Sequence, residues 1–352
     1  MNSQATSQTV SPNVKPLWLA DLSLLLVAII WGVNIPIMKV ALLKIDAYAF
    51  NAIRLIVSSI VLLYFARREF QRGIKPASTI SIRDICIYAF MVSVAYQLLF
   101  LLAVSRATSA DVALIMATVP MWTAIGARFF LKEILPLLAW VGLFIAFSGT
   151  MIVTLQKSPA PVAASSDSRT DAAGMLHPSE DFHHVKTDVI PPTPHPPRRL
   201  AGNLLALSAA LAWAGGTVFS RPLLGRISPI QLSACSATLG LPFHIVIATL
   251  LGKDSLLVSF AAMKNPSLVA CVLYSGILST GLALAMWSYG VKHAGAAQAA
   301  MIQNLTPIVA MAAAWVWLGE TINLAQTLGG GMIIGGLFIM RRSRRMGVSR
   351  NA

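Results

Sequence analysis

The chain has 352 residues, of which 56% are hydrophobic and only 11% are charged, and its formal net charge is +14. Its mean hydropathy of +0.72 lies far outside the range of soluble globular domains and indicates a polytopic membrane protein. The basic residues lie in short loops and in the tail rather than on a soluble face, so we expect membrane lipid, and no nucleic acid, as their partner.

Ten apolar stretches follow one another along the chain, each long enough to cross a hydrocarbon core of about 30 Å. We therefore predict an all-α polytopic membrane protein with ten transmembrane helices. One long connection, rich in Ser, Pro and His, separates the first five spans from the last five and is expected to be disordered. The spans are predicted at 17–40, 47–66, 85–105, 110–131, 135–155, 201–220, 229–251, 267–289, 294–317 and 321–340.

The second half of the chain repeats the first half. A shift of 187 residues aligns Pro120 with Pro307 and Glu133 with Glu320. Because each copy holds an odd number of spans, the two copies must lie upside down relative to each other. We predict two inverted five-helix repeats, which is the plan of secondary transporters. The predicted segments are a tail at 1–16, the first repeat at 17–155, the linker at 156–200, the second repeat at 201–340 and a basic tail at 341–352.

Basic residues are distributed unevenly between the two sides of the predicted bundle. Short loops and tails on one side carry most of them, including those in 67–83, Lys132, Lys292 and those in 341–350. Short cytoplasmic loops are enriched in Lys and Arg. The sequence therefore predicts a multi-pass protein of the cytoplasmic membrane with both termini in the cytoplasm.

Motifs for catalysis and metal binding are missing from the predicted spans. We find no HExxH, no GxSxG and no pair of aspartates at helical spacing within the membrane. The three cysteines, Cys86, Cys235 and Cys271, fall within or at the ends of spans and form no metal motif. We therefore expect no enzymatic activity, no cofactor and no metal site.

Two ionisable residues in the predicted spans are candidates for a function. Arg54 lies about one third of the way into the second span, where it can pack helices, extend to the interface or neutralise an anionic group of a substrate. Asp111 lies at the start of the fourth span, where the helix dipole also favours an acid. It is the one candidate that the sequence offers for proton coupling.

Three tryptophans lie near the middle of their spans, far from the interfaces that usually attract indole rings. These are Trp31, Trp122 and Trp213, and a shift of 182 residues aligns Trp31 with Trp213. Each indole N–H then needs a partner or a wet cavity. The rings either face one central pathway or pack between helices, and Asn34 shares the helix face of Trp31.

Further polar and aromatic residues complete a candidate lining for a pathway. Pro120 and Pro307 are predicted to kink their helices, and each frees the carbonyl group four residues before it. Irregular backbone of this kind is tolerated in membranes where it lines a cavity. The remaining candidate substrate-binding residues are Tyr96 and Gln97 in the third span, Trp287 in the eighth, and Gln303 and Asn304 in the ninth.

Small residues predict close helix contacts in the last span of each repeat. Gly331 and Gly335 form a GxxxG pattern, and Gly142 with Ala146 forms a weaker one. Two interpretations stay open, which are packing within the chain and a homodimer.

These residues together resemble the EamA family of the drug/metabolite transporter superfamily, over about 21–340. The second half carries the clearer form, because its last loop reads LGE where the first half has LKE. The residues that carry the resemblance are Trp31, Gly32 and Asn34, then Ala49, Phe50 and Arg54, then 107–120 and Leu131 to Glu133, and finally Gly281, Trp287, Tyr289, Gly295, Asn304, Pro307, Leu318, Gly319 and Glu320.

The resemblance implies a carrier in the cytoplasmic membrane, often an exporter of amino acids, related metabolites or drugs. It implies a central cavity formed by the first four helices of each half, with the fifth and tenth helices at the edge. We expect a small-molecule substrate, most simply an amino acid or a related compound, moved by alternating access. The alternatives are a carrier of sugar phosphates, nucleotide sugars or drugs, and a membrane scaffold without transport.

Overall fold

The structure is a computed structural model, and helices joined by short turns make up its described residues. Asp111, the predicted coupling residue, lies outside the described residues, as does nearly all of the predicted linker. The described residues are 17–104, 106, 115–116, 118–155, 199–252, 256–318 and 324–350.

The first half of the chain contributes six α-helices and one π-helical segment to the described structure. The π-helical segment, π1, continues α3 into α4, so that the three form one span. The elements are α1 (Leu17–Leu42), α2 (Ala47–Gln71), α3 (Ile82–Ala89), π1 (Phe90–Ala95), α4 (Tyr96–Val104), α5 (Val119–Phe130) and α6 (Leu137–Leu155).

The second half contributes eight α-helices and a second π-helical segment, π2, which lies between α10 and α11. A short 3₁₀ turn, Ala262–Lys264, follows α9. The helices are α7 (Arg199–Leu223), α8 (Pro229–Leu251), α9 (Leu256–Ala261), α10 (Pro266–Leu273), π2 (Tyr274–Leu282), α11 (Ala283–Ala294), α12 (Ala296–Gln303), α13 (Thr306–Leu318) and α14 (Leu324–Arg350).

Within the described residues, six helical segments are long and apolar enough to cross a membrane. The apolar parts of α6 and α14, Leu137–Ile152 and Thr327–Ile339, are shorter. The described residues therefore have the composition and all-helical architecture of a polytopic membrane protein. The six segments are Trp18–Leu42, Ala47–Gln71, Ile82–Ala103, Leu200–Leu223, Pro229–Leu251 and Pro266–Ala294.

Several of these helices begin at side chains that accept hydrogen bonds from the free backbone N–H groups of the first turn. Asp46 accepts from Tyr48 and Ala49 at the start of α2, and Ser228 accepts from Gln231 at the start of α8. Asn265 caps α10 in the same way. Such caps satisfy donors that have no partner within the helix.

Pro120 and Pro307 lie at the beginnings of helices rather than at kinks inside them. Pro120 is the second residue of α5, and Pro307 is the second residue of α13. In the ninth predicted span the chain leaves α12 at Gln303 and enters α13 at Thr306, so the helix is broken. Proline is well tolerated in a first turn, because the N–H that it lacks has no partner there.

Helices from the two halves of the chain pack between one another. α1 contacts α11, α12, α13 and π2 of the second half, and α7 contacts α4, α5 and π1 of the first half. α2 packs against α8. The main buried core is therefore shared by both halves, with Leu24 of α1, Tyr88 of α3 and Met301 of α12 among its fully buried side chains.

α6 and α14 pack against each other along their lengths, and glycines permit the close approach. A Cβ atom on Gly336 would overlap the carbonyl oxygen of Gly142, and one on Gly149 would overlap that of Gly329. The predicted pair Gly331 and Gly335 does not make this contact, because no described atom outside their own helix backbone lies within 4 Å of either Cβ position.

Candidate substrate-binding site

Four aromatic side chains from both halves of the chain form one cluster in the shared core. Trp31 of α1 lies 5.5 Å from Trp213 and 5.4 Å from Trp287 between ring centroids. Tyr96 of α4 lies 4.8 Å from Trp213, and Trp213 lies 5.8 Å from Trp287. Trp213 and Trp287 are buried, whereas Trp31 and Tyr96 are half-buried. We call these four residues the aromatic cluster.

Two indole N–H groups of the aromatic cluster donate hydrogen bonds, one to the opposite half of the chain and one within the second half. Trp31 Nε1 donates to the carbonyl oxygen of Ser279 in π2 at 2.9 Å. Trp213 Nε1 donates to Gln303 Oε1, at the end of α12, at 3.4 Å. A buried indole N–H needs such a partner, so these bonds fix the orientation of both rings.

The two π-helical segments supply backbone acceptors to side chains of the opposite half. Phe90, where π1 begins, and Tyr274, where π2 begins, are 184 residues apart. Ser279 of π2 accepts from Trp31, and the carbonyl oxygen of Ser93 in π1 lies 2.6 Å from His244 Nε2 of α8. π-Helical turns are often found at functional sites.

A buried polar network surrounds Arg54 of α2. Arg54 Nε donates to Asn51 Oδ1 at 2.8 Å, and Arg54 Nη2 donates to Gln97 Oε1 at 2.9 Å. Asn51 Nδ2 lies 3.0 Å from His244 Nδ1. Arg54 is only 9% exposed, and no carboxylate among the described residues pairs with it. The network therefore holds a positive charge with neutral oxygen atoms.

The two ends of this network determine the direction of every hydrogen bond in it. A guanidinium group only donates and a carbonyl oxygen only accepts. Arg54 therefore donates to Asn51 Oδ1, which turns the Asn51 amide N–H toward His244 Nδ1. His244 must then accept at Nδ1 and donate from Nε2 to Ser93. This assigns a neutral imidazole with its proton on Nε2.

Asn34 and Asn304 provide further buried polar groups. Asn34 Oδ1 accepts a hydrogen bond from Ser275 Oγ of π2 at 2.7 Å, so its side chain joins α1 to π2. Asn304 is 3% exposed and lies at the break between α12 and α13. Its Nδ2 has no hydrogen-bond partner among the described residues. A buried donor of this kind is unusual and is available to a ligand.

The structure brings most of the predicted site residues together but not all of them. The aromatic cluster unites Trp31, Tyr96, Trp213 and Trp287, and Gln303 joins it through Trp213. Trp122 does not belong to the cluster, because its indole donates to Thr118 Oγ1 at the start of its own helix, at 3.0 Å.

Sequence analysis missed His244, Asn51 and the two π-helical carbonyl groups. A signal for His244 existed, because a histidine within an apolar span is rare and usually functional. Asn51 precedes Arg54 by three residues, a spacing that places both on one helix face. The carbonyl groups of Ser93 and Ser279 carry no signal in the side-chain pattern.

A second polar cluster joins the two halves at one end of the bundle. Glu133, between α5 and α6, accepts hydrogen bonds from the backbone N–H groups of Ala296 and Ala297 at 3.2 and 3.4 Å. These residues begin α12, directly after Gly295, whose φ is 97°. Arg221 Nε lies 3.9 Å from Glu133. The carboxylate thus caps a helix of the second half.

Comparison with known proteins identifies the class of this membrane protein. The model of the EamA-like transporter family matches two regions of the chain, 18–155 and 200–342. The chain therefore belongs to the EamA-like transporter family. A solved protein structure with 15% sequence identity superposes with a TM-score of 0.70 over 92% of this chain and 98% of its own, which shows the same fold.

Among curated relatives, the chain is similar to the uncharacterized transporter YoaV of Bacillus subtilis, with 22% identity over 90% of this chain and 95% of the relative. It is 29% identical to a probable amino-acid metabolite efflux pump of Salmonella typhimurium over 40% of this chain and 48% of the pump. It is 27% identical to a probable terminal-alkyne amino-acid exporter of Streptantibioticus cattleyicolor over 42% of this chain and 48% of the exporter. Each of these two matches therefore covers only about half of the relative's length.

Proposed function

We propose that this transporter is a secondary carrier that moves a small metabolite across the cytoplasmic membrane by alternating access. The observation that carries the proposal is the aromatic cluster, to which α1 and α4 of one half and α7 and α11 of the other contribute. A site built from both halves changes its exposure when the halves rock against each other.

Ten transmembrane helices in two inverted five-helix repeats form the framework of this proposal. The matching positions of π1 and π2 support it, as do the two prolines that begin α5 and α13. The packing of α1 among second-half helices and of α7 among first-half helices is also reciprocal. In this arrangement both termini lie in the cytoplasm, and lipid surrounds the bundle.

The substrate that we propose is an amino acid or a related compound, and the direction is export. The names of the Salmonella and Streptantibioticus relatives support this class. The site supports it too, because one cation, several amides and four aromatic rings suit a small amphipathic molecule. A sugar phosphate or nucleotide sugar would need several converging cations, and Arg54 is the one cation in the described network.

Counterflow in proteoliposomes tests the proposal. Vesicles that contain the purified chain are loaded with mixed unlabelled amino acids, and uptake of each labelled amino acid is measured with and without a pH gradient. We expect saturable uptake of at least one amino acid by the wild type. We expect little uptake by Trp213→Ala and normal uptake by Trp315→Ala, because Trp315 on α13 is 56% exposed.

Absence of counterflow for every amino acid, with folded and inserted protein, would contradict the amino-acid assignment. Equal activity in Trp213→Ala and wild type would contradict the location of the site. A response of uptake to the pH gradient would distinguish proton-coupled transport from facilitated diffusion. A protein with no flux of any kind would be a scaffold, which is the alternative from another functional class.

A further inference from the structure

Arg54 keeps one edge of its guanidinium group unused. Nε and Nη2 donate to Asn51 and Gln97, which occupies the edge formed by these two nitrogen atoms. The adjacent edge, formed by Nη1 and the second N–H of Nη2, has no partner among the described residues. A carboxylate binds an edge of this kind through two parallel hydrogen bonds.

The surroundings of Arg54 favour a ligand with a single negative charge. The side chain is only 9% exposed, and the groups that accept its hydrogen bonds are neutral amides. A buried cation without a counter-charge is costly, and an anion that enters the site removes that cost. A phosphate dianion would bring two charges to one cation, whereas a carboxylate brings one.

The position of Arg54 relative to the aromatic cluster suits a ligand that has both an anionic group and an apolar part. Gln97, which accepts from Arg54, directly follows Tyr96 of the aromatic cluster in α4. π2 packs against α2 beside Arg54, because a Cβ on Gly276 would lie 3.0 Å from the Arg54 carbonyl oxygen. The same segment accepts the hydrogen bond of Trp31. Arg54 and the rings are therefore connected to the same two elements, α4 and π2.

We propose that Arg54 binds the carboxylate group of a substrate whose apolar or aromatic body contacts the aromatic cluster, and that Asn51 and His244 are positioning residues that orient Arg54. This inference rests on the proposed function, because it names the substrate class of the same site. The directed hydrogen bonds from Arg54 through Asn51 and His244 to Ser93 fix the guanidinium plane. The free edge is thereby presented to the substrate.

A matched pair of probes tests the carboxylate subsite by binding alone. The purified full-length chain in lipid nanodiscs is titrated calorimetrically with 3-phenylpropionate and with 3-phenylpropanamide, which differ in the charge of one group. We expect the carboxylate to bind the wild type at least about tenfold more tightly than the amide, as charge-assisted hydrogen bonds require. Arg54→Gln should bring this ratio close to one, and Arg128→Gln, an exposed site on α5, should leave it unchanged.

The ratio of the two affinities is measured within one preparation, so partial unfolding of a variant changes both titrations equally. A ratio near one in the wild type overturns the subsite, even if both probes bind and the transport site stands. A preserved ratio in Arg54→Gln also overturns it. Tighter binding of inorganic phosphate than of 3-phenylpropionate would assign the anion site to phosphate and overturn the carboxylate. Binding of neither probe overturns the subsite, and counterflow then decides separately whether the proposed function survives.

The positioning residues are tested by conservative and non-conservative variants. His244→Gln keeps an acceptor for Asn51 and a donor for Ser93, and we expect it to preserve the affinity ratio. His244→Phe keeps the ring but removes both hydrogen bonds, and we expect the ratio to fall severalfold while the affinity for the amide stays constant. An equal loss for both probes in His244→Phe would show a merely structural role and would overturn the positioning part.

Discussion

π1 and π2 occupy matching positions in the third predicted span of each half, and each gives a backbone carbonyl oxygen to a ring N–H from the opposite half. Their surroundings differ. At π1 the donor is His244, and the hydrogen bonds continue through Asn51 to Arg54. At π2 the donor is Trp31, which belongs to the aromatic cluster. A backbone carbonyl group of π1 thus helps to orient a cation, and one of π2 orients an aromatic ring.

The largest expected effect is on the aromatic cluster, which π2 contacts through Trp31. Trp213 contacts Tyr96, Trp31 and Trp287, so Trp213→Ala removes the centre of the aromatic cluster. We expect a loss of about 3–5 kcal/mol in the free energy of unfolding, as for other large aromatic truncations. Denaturant unfolding in detergent measures it, and Trp315→Ala, on the exposed face of α13, is the control. Similar losses for both variants would contradict a packed cluster.

Removal of His244, the donor to π1, should lower the free energy of unfolding by less than removal of Trp213. His244→Phe leaves Asn51 Nδ2 and the Ser93 carbonyl without their partners in a site where Asn51 is 5% exposed. We expect about 1–3 kcal/mol of destabilisation, because buried polar groups without partners are unfavourable. His244→Gln, which retains a donor and an acceptor, should recover most of it in the same unfolding assay. A loss in His244→Gln equal to that in His244→Phe would exclude the directed network.

Removal of Trp31 Nε1, the donor to π2, should lower the free energy of unfolding by less than removal of His244. Trp31→Phe keeps an aromatic ring in the cluster and removes one hydrogen bond, which leaves only the Ser279 carbonyl without its donor. Single hydrogen bonds within membrane proteins contribute about 0.6 kcal/mol on average. We expect a destabilisation of that order. If Trp31→Phe destabilised the protein as much as His244→Phe, the contrast between the two π-helical segments would be wrong.

The last expected effect, similar in size to that of Trp31→Phe, lies at the end of the bundle, away from both segments. Glu133→Gln retains the acceptor oxygen for the start of α12 but removes the charge that faces Arg221 and the helix N-terminus. A charge at a helix end contributes about 0.3–1 kcal/mol. Denaturant unfolding at two salt concentrations measures this contribution. The difference in the free energy of unfolding between wild type and Glu133→Gln should decrease at high salt, because salt screens the charge. A difference that did not change with salt would indicate that the charge has no role.

The sequence predicts the helical class well because the bilayer requires long apolar helices, and hydropathy reports them directly. It predicts the family through residues such as Trp31, Asn304 and Pro307, and the match to the family model confirms this. The sequence also predicts an aromatic site, of which three of the four rings are tryptophans. Mid-span indole groups are rare enough to be informative.

Three other features could not be predicted from the sequence, because they depend on how the helices pack and on local hydrogen bonds. π-Helical hydrogen bonds depend on how neighbouring helices approach, and no side chain in 90–95 identifies them. A proline predicts a disturbance of the helix but does not distinguish a kink from the break at Asn304. The sequence predicts the same role for Trp122 and Trp31, because both lie near the middle of a span. In the structure, the Trp122 indole donates its hydrogen bond to Thr118 instead.

The glycine contact between α6 and α14 has a mechanical consequence. These helices come from different halves, and backbone atoms meet at Gly149 and Gly336 with no room for a single additional carbon. Helices in such contact can pivot on each other but resist sliding, since any axial shift would drive side chains into the opposing backbone. In the proposed alternating access, we therefore expect this pair to stay in contact and to act as a hinge between the two halves.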